Sequence, residues 1–145
     1  MIPRETLPGM NRMARRWLGL ALALSAAAQE WRHYGGDAGG MRYSPLKQIH
    51  KGNAAQLREV WSFDTGDWSD GTERMTRSAF EATPLVVDGV LYIVSPFCRV
   101  FALDAETGSE IWRFDPQIDL NVRMNLFLSR GASYWTDDKR RRILL

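Results

Sequence analysis

"ALDAETGSEIW", residues 102–112, places Asp104, Thr107, Gly108 and Trp112 at fixed spacing directly after an apolar run. Val100-Phe101-Ala102-Leu103 reads as a strand, and Glu110-Ile111-Trp112-Arg113-Phe114 reads as its return. Between them, Ala105-Glu106-Thr107-Gly108 reads as a turn, with Gly108 suited to a positive φ. A short Gly-containing loop between two β-rich runs predicts a hairpin. The purpose of a Trp on its return strand depends on what surrounds the hairpin.

Moving upstream, Leu85-Val86-Val87, Asp88-Gly89 and Val90-Leu91-Tyr92-Ile93-Val94 predict a second hairpin, whose Asp-Gly pair suits a type I′ turn. With Ser95-Pro96-Phe97 as connection, residues 82–115 become a four-stranded antiparallel meander. Arg130–Trp135, the Asp137-Asp138 turn and Arg142–Leu145 look like the first half of another. The strands do not alternate: Leu85 to Val87 and Val90 to Val94 are apolar throughout. A sheet with one wet face would alternate, so both faces of this sheet need cover. Repeated sheets of the same kind supply it in a β-propeller, with blades of about 40–50 residues. The bland alternative is half of a β-sandwich. In the propeller reading the Trp112 indole fills the gap between neighbouring blades, and Thr107-Gly108 shape the turn beside it. Trp61, followed by Asp64-Thr65-Gly66, and Trp135 are partial echoes. The fold class is all-β: a first complete blade, part of a second and an irregular N-terminal arm. A propeller needs at least about four blades, so the chain is expected to be the N-terminal fragment of a longer protein.

Composition agrees with a globular chain, at 145 residues, 45% apolar and 25% charged. The formal charge of +2 comes from Arg4, Arg12, Arg15 and Arg16 near the start; beyond residue 28 acidic residues outnumber basic ones by one. The remaining basic cluster, Lys139-Arg140-Arg141-Arg142, has no interleaved aromatics and reads as a solvated turn rather than a nucleic-acid patch.

The first 28 residues read as a signal peptide. Arg15-Arg16 precede the apolar run from Trp17 to Leu24, and Ser25-Ala26-Ala27-Ala28 offers a small-residue cleavage site. The run is too short to span a bilayer, and no later run is long enough. No Cys follows it, so a lipid anchor is not expected there. The expectation is a periplasmic protein without a transmembrane segment after signal removal. Cys98 is the only cysteine and reads as a buried structural thiol.

Between leader and blades, residues 31–50 carry four glycines and one proline without a sustained period and read as an irregular arm. Asn53 is a candidate cap for a short helix over Ala54–Arg58. Glu59–Phe63 predicts a strand ending at the Asp64-Thr65-Gly66-Asp67 turn, and residues 67–80 read as loop. The expected division is signal peptide 1–28, arm and first strand segment 29–81, and blade repeats 82–145.

"ALDAETGSEIW" resembles the tryptophan-docking repeat of quinoprotein dehydrogenases, propeller enzymes that use pyrroloquinoline quinone (PQQ). Three further stretches strengthen the resemblance. "WRHYGGDAGGMRYSPLKQI" (31–49) is similar to that family's N-terminal arm, "FEATPLVVDGVLYIVSPFCRVFALD" (80–104) to its first complete blade, and "RGASYW" (130–135) to the strand opening the next. The resemblance implies an eight-bladed whole protein in which Glu81 and Arg130 line the PQQ pocket. PQQ carries three carboxylates, and Arg offers a rigid fork for such groups, with Glu placed to hold the Arg or the cofactor edge. Read without the resemblance, Glu81 is an exposed residue opening a strand and Arg130 a structural cation.

Alcohol- and methanol-oxidising members carry adjacent cysteines shortly before the Arg-Gly pair, where this chain has "NVRMNLFLSRG". That departure brings the resemblance closer to the glucose, polyol and quinate dehydrogenase branch. The implied activity is oxidation of a sugar, polyol or other alcohol, with electrons passed to a quinone or other acceptor. The resemblance also implies Ca²⁺ on oxygen ligands and a catalytic Asp, all beyond Leu145. His33 and His50 have no partner at metal spacing. The rival class is a non-catalytic propeller scaffold of the outer-membrane assembly type. Such scaffolds are commonly lipoproteins and have no use for a Glu81–Arg130 pocket.

Overall fold

The computed structural model describes residues 29–72, 75–123 and 125–145. The signal-peptide reading of residues 1–28 lies outside the described residues. Among the described residues eight strands follow one another: β1 (Ser78–Thr83), β2 (Leu85–Val87), β3 (Val90–Val94), β4 (Val100–Asp104), β5 (Glu110–Phe114), β6 (Phe127–Gly131), β7 (Ser133–Thr136) and β8 (Arg141–Leu144). Strands β2-β3-β4-β5 form the expected antiparallel meander, β7-β8 form a hairpin, and β1 pairs with β6 in parallel. This is one complete four-stranded unit and the opening hairpin of the next.

Local turn chemistry builds the meander. Asp88 and Gly89 both have positive φ, 50° and 75°, as a two-residue type I′ turn requires, and Val87 faces Val90 across it. In the turn after β4 the Asp104 carboxylate accepts from Thr107 N and Thr107 Oγ1, both at 2.8 Å, and from Glu106 N at 3.1 Å. The Thr107 hydroxyl first, then the backbone amides, holds the Asp104 carboxyl below its usual range. This is why Asp and Thr stand three residues apart: one carboxylate satisfies the turn that Gly108 then closes at φ 72°.

Register divides the sheet into two faces. Leu91, Ile93, Phe101 and Leu103 share one, and Tyr92, Val100, Ala102 and Trp112 share the other. The first face is covered by the segment around Trp61 and Phe63, with Phe63 edge-on to Phe101 at 5.3 Å between centroids. The second turns toward Tyr134 and Ile143 of the β7-β8 hairpin. Covered on both sides, β4 is buried from Val100 to Leu103, which explains its lack of alternation.

Three local expectations are corrected. Glu59–Phe63 forms no strand; it lies across the sheet face with Trp61 and Phe63 docked by their side chains rather than in a ladder. The tryptophan served by Gly108 is Trp61 and not Trp112. A Cβ on Gly108 would lie 2.5–2.8 Å from three atoms of the Trp61 indole, so only glycine lets the ring settle on the turn. Trp112 instead sits on the outer strand, 41% exposed, with Tyr92 at 5.9 Å between centroids. It does face the next hairpin, but that side of the gap is only partly filled. The Asn53 helix shrinks to one 3-10 turn, Ala54–Gln56, without a side-chain cap. The Asn53 amide works backwards instead, accepting from His50 N at 2.8 Å and donating to Gln48 O at 2.7 Å.

The arm adds to the free edge of β2. Trp31 and Val86 exchange two backbone hydrogen bonds, at 2.8 and 3.0 Å, and Glu30 accepts from Asp88 N at 2.9 Å. Cys98 stands in the β3-β4 turn at φ 59° and is only partly buried, because the turn lifts it out of the sheet.

Candidate functional site

The site is created where two chain segments change partners. β1 pairs with β6 up to Phe80 opposite Ser129, the register then shifts, and Thr83 meets Gly131. Beyond Pro84 the chain continues as β2 within the meander, and beyond Ala132 it continues as β7 within the next hairpin. Pro84 suits this junction because it lacks an N–H that either ladder would need to satisfy. Gly131 has φ 118°, and a Cβ there would stand 3.1 Å from the Thr83 carbonyl oxygen. The close approach and the positive φ together make glycine the residue that fits this crossing.

This crossing brings the two expected site residues together. Arg130 Nη1 lies 3.6 Å from Glu81 Oε2, an ion pair without a hydrogen bond. The Arg130 side chain is 82% exposed and that of Glu81 42%. The guanidinium thus keeps its donors free for something else, and the carboxylate beside it limits where an incoming acceptor can sit. Both residues line a cleft of about 480 Å³, with Tyr34, residues 131–133, Leu144 and Leu145. That volume lies within the range of small-molecule sites, about 300–1,000 Å³.

Tyr34 was not legible as a site residue. It comes from the arm, where glycines interrupt every period and no motif points to a cleft nearly fifty residues away. Its hydroxyl accepts from Arg42 Nη2 at 3.1 Å, and the Arg42 guanidinium lies over its ring at 5.0 Å.

A second polar cluster is structural. Asp67, its side chain fully buried, accepts from Ser95 Oγ and pairs with Arg99, whose Nε also donates to Asp115 Oδ2 at 2.8 Å. Every member has a partner, so the cluster ties the 64–69 segment to the β3-β4 turn, with Arg99 bridging Asp67 and Asp115. Among the described residues no three His, Cys, Asp or Glu side chains converge as a metal site. His50 Nδ1 accepts from Gly52 N at 3.1 Å and serves its own turn. The Lys139–Arg142 cluster is partly neutralised by Arg140 on Asp137 and Arg141 on Asp88, as a solvated turn would be. No helix among the described residues is long and apolar enough to cross a membrane.

Comparison with known proteins adds to this geometry. Residues 31–145 match the family described as glucose/ethanol/alcohol dehydrogenase, beta-propeller domain, of the PQQ class. The chain is 44% identical over 119 residues to 1-butanol dehydrogenase (cytochrome c) of Thauera butanivorans, which covers 79% of this chain and 16% of that protein. It is 40% identical over 117 residues to the quinoprotein glucose dehydrogenase of Escherichia coli, covering 79% of this chain and 14% of that protein. Among solved structures, the quinohemoprotein alcohol dehydrogenase from Comamonas testosteroni superimposes with a TM-score of 0.56 at 32% identity, over 77% of this chain and 16% of that one. The chain therefore spans about a seventh to a sixth of the length of these relatives.

Proposed function

This chain belongs to the PQQ-class glucose/ethanol/alcohol dehydrogenase β-propeller family, and from that membership we propose that the whole protein is a periplasmic quinoprotein dehydrogenase. In this reading it oxidises a sugar, polyol or other alcohol and passes electrons to a quinone or other acceptor. The observation that carries the reading is the meeting of Glu81 and Arg130 at one cleft, on two strands held in parallel by their neighbours. Residues 29–81 serve as arm and first strand segment, and residues 82–145 as blade repeats.

The cleft fits a group rich in carboxylates. Arg130 keeps its fork unspent at 3.6 Å from Glu81, so it can take a carboxylate bidentately while Glu81 holds its far side. When bound, PQQ supplies the two-electron acceptor that a hydroxyl-bearing substrate needs. The chain's own residues bind and orient: Arg130 by its charge and fork, Glu81 by setting the direction of that fork. Ca²⁺ belongs to the proposal as a hard cation on oxygen ligands contributed by residues outside this chain. Relatives named for butanol and for glucose match at similar identity, so the substrate class stays at alcohols and sugars. Export rests on the basic, apolar and small-residue order of residues 1–28.

The test is a PQQ titration of the full-length apoenzyme with Ca²⁺, read as recovered dye-linked activity. Arg130→Ala should weaken PQQ by about 2–4 kcal/mol, the range for loss of one partner in a hydrogen-bonded charge pair. Arg130→Lys should recover only part, because an ammonium cannot form the fork. Equal affinity in wild type and Arg130→Ala removes Arg130 from the site. No PQQ binding by the wild type gives the case to a non-catalytic scaffold.

A further inference from the structure

The Glu81–Arg130 cleft has a third polar wall that neither blade supplies. Tyr34 reaches it from the arm, and the arm is tied down on both sides of that residue. Before it, Trp31 is bridged to Val86 by two backbone hydrogen bonds. After it, Arg42 N donates to Gly35 O at 2.8 Å and closes a loop in which Met41 N also donates to Asp37 Oδ1 at 3.1 Å. The crossing inside that loop is tight: a Cβ on Gly35 would fall 2.4 Å from the Gly40 Cα. Tyr34 thus projects from a closed loop anchored to β2, the strand that follows Glu81's β1 after Pro84.

We propose that Tyr34 donates its phenolic hydrogen to an anionic oxygen held in the Glu81–Arg130 cleft, with Arg42 as the positioning residue behind it. Tyr34 accepts from Arg42 Nη2, so its single hydrogen remains for another acceptor. A hydroxyl that accepts from a cation is polarised into a stronger donor. Arg42 forms no ion pair among the described residues, so its charge is not cancelled by a carboxylate at contact. Glu81 offsets part of the Arg130 charge, and this phenol and guanidinium add to what Arg130 offers an anion. In the quinoprotein reading, on which this inference rests, the oxygen belongs to a PQQ carboxylate or to the quinone edge. The arm would then complete the cofactor cavity.

Equilibrium dialysis of PQQ against the full-length apoprotein with Ca²⁺ tests this without any turnover. Tyr34→Phe keeps the ring under Arg42 and removes only the hydroxyl; it should weaken PQQ about five- to tenfold, the worth of one hydrogen bond. Arg42→Gln should weaken it about two- to fivefold. The double variant should be no weaker than Tyr34→Phe alone, because Arg42 acts through the hydroxyl. Wild-type affinity in Tyr34→Phe overturns the donor role, and multiplying effects in the double variant overturn the positioning role. If wild type binds PQQ and Arg130→Ala weakens it while Tyr34→Phe does not, only this inference fails. If wild type binds no PQQ, the quinoprotein reading fails and takes the inference with it.

Discussion

The buried strands of the meander, β2 and β4, and the far end of the parallel pair β1-β6 lie close to one another along the chain and satisfy their side chains differently. In the meander, Leu85, Val87, Phe101 and Leu103 are each 1% exposed, and the turns satisfy their own polar groups. In the parallel pair, Phe80 is 52% exposed, and the strands end in a charged pair that faces a cleft with bonding capacity to spare. A packed sheet completes its interactions internally. A junction where strands change partners leaves side chains whose partners must come from elsewhere, and so provides a place to bind something. Substitutions should therefore separate the two regions, large in stability for the first and large in binding for the second.

Phe101→Ala should have the largest effect on folding. Phe101 touches Phe63 on the face covered by the 61–68 segment and is 1% exposed, so its loss leaves a cavity in the core. A loss of about 3–5 kcal/mol is expected in the full-length protein, read by denaturant unfolding. A loss under about 1 kcal/mol would mean that the 61–68 segment does not cover the sheet.

Gly108→Ala should come next. The new methyl must adopt φ 72° and would overlap the Trp61 indole, so the cost combines backbone strain with displacement of the ring, about 2–3 kcal/mol. Trp61 fluorescence, taken as the difference from the Trp61→Phe variant, offers a site-specific check. If Gly108→Ala left both unfolding and that signal unchanged, Trp61 would not be docked there. Arg130→Ala, by contrast, should leave the unfolding midpoint near that of wild type, since the exposed pair at 3.6 Å contributes little. A large drop in stability would erase the contrast between the two regions.

The smallest effect concerns acid. Asp104 is held below the usual carboxylate range by Thr107. A carboxyl with a depressed folded value adds stability above about pH 4 and loses it as the pH falls through that lowered value. Asp104→Asn should flatten the fall in Tm on acidification from pH 5 to pH 2. An unaltered slope would show that the turn does not couple to folding.

Sequence by itself determined what short-range chemistry controls. Asp88-Gly89 specified a two-residue turn because both residues tolerate positive φ. Asp104, Thr107 and Gly108 specified the other because a carboxylate and a hydroxyl satisfy the amides two or three positions on. The unbroken apolar runs called for a sheet covered on both faces. Glu81 and Arg130 were legible as a pair only through the family resemblance, since nothing local points one to the other. Tertiary structure alone decided that Trp61 rather than Trp112 rests on Gly108, and that residues 59–63 dock by their side chains instead of forming a ladder. It also decided that Asp67 is buried against Ser95 and Arg99, and that Tyr34 reaches the cleft. Each of these is a contact between distant segments. Its energy comes from shape and desolvation at the meeting point, quantities that exist only once the chain has brought both sides together.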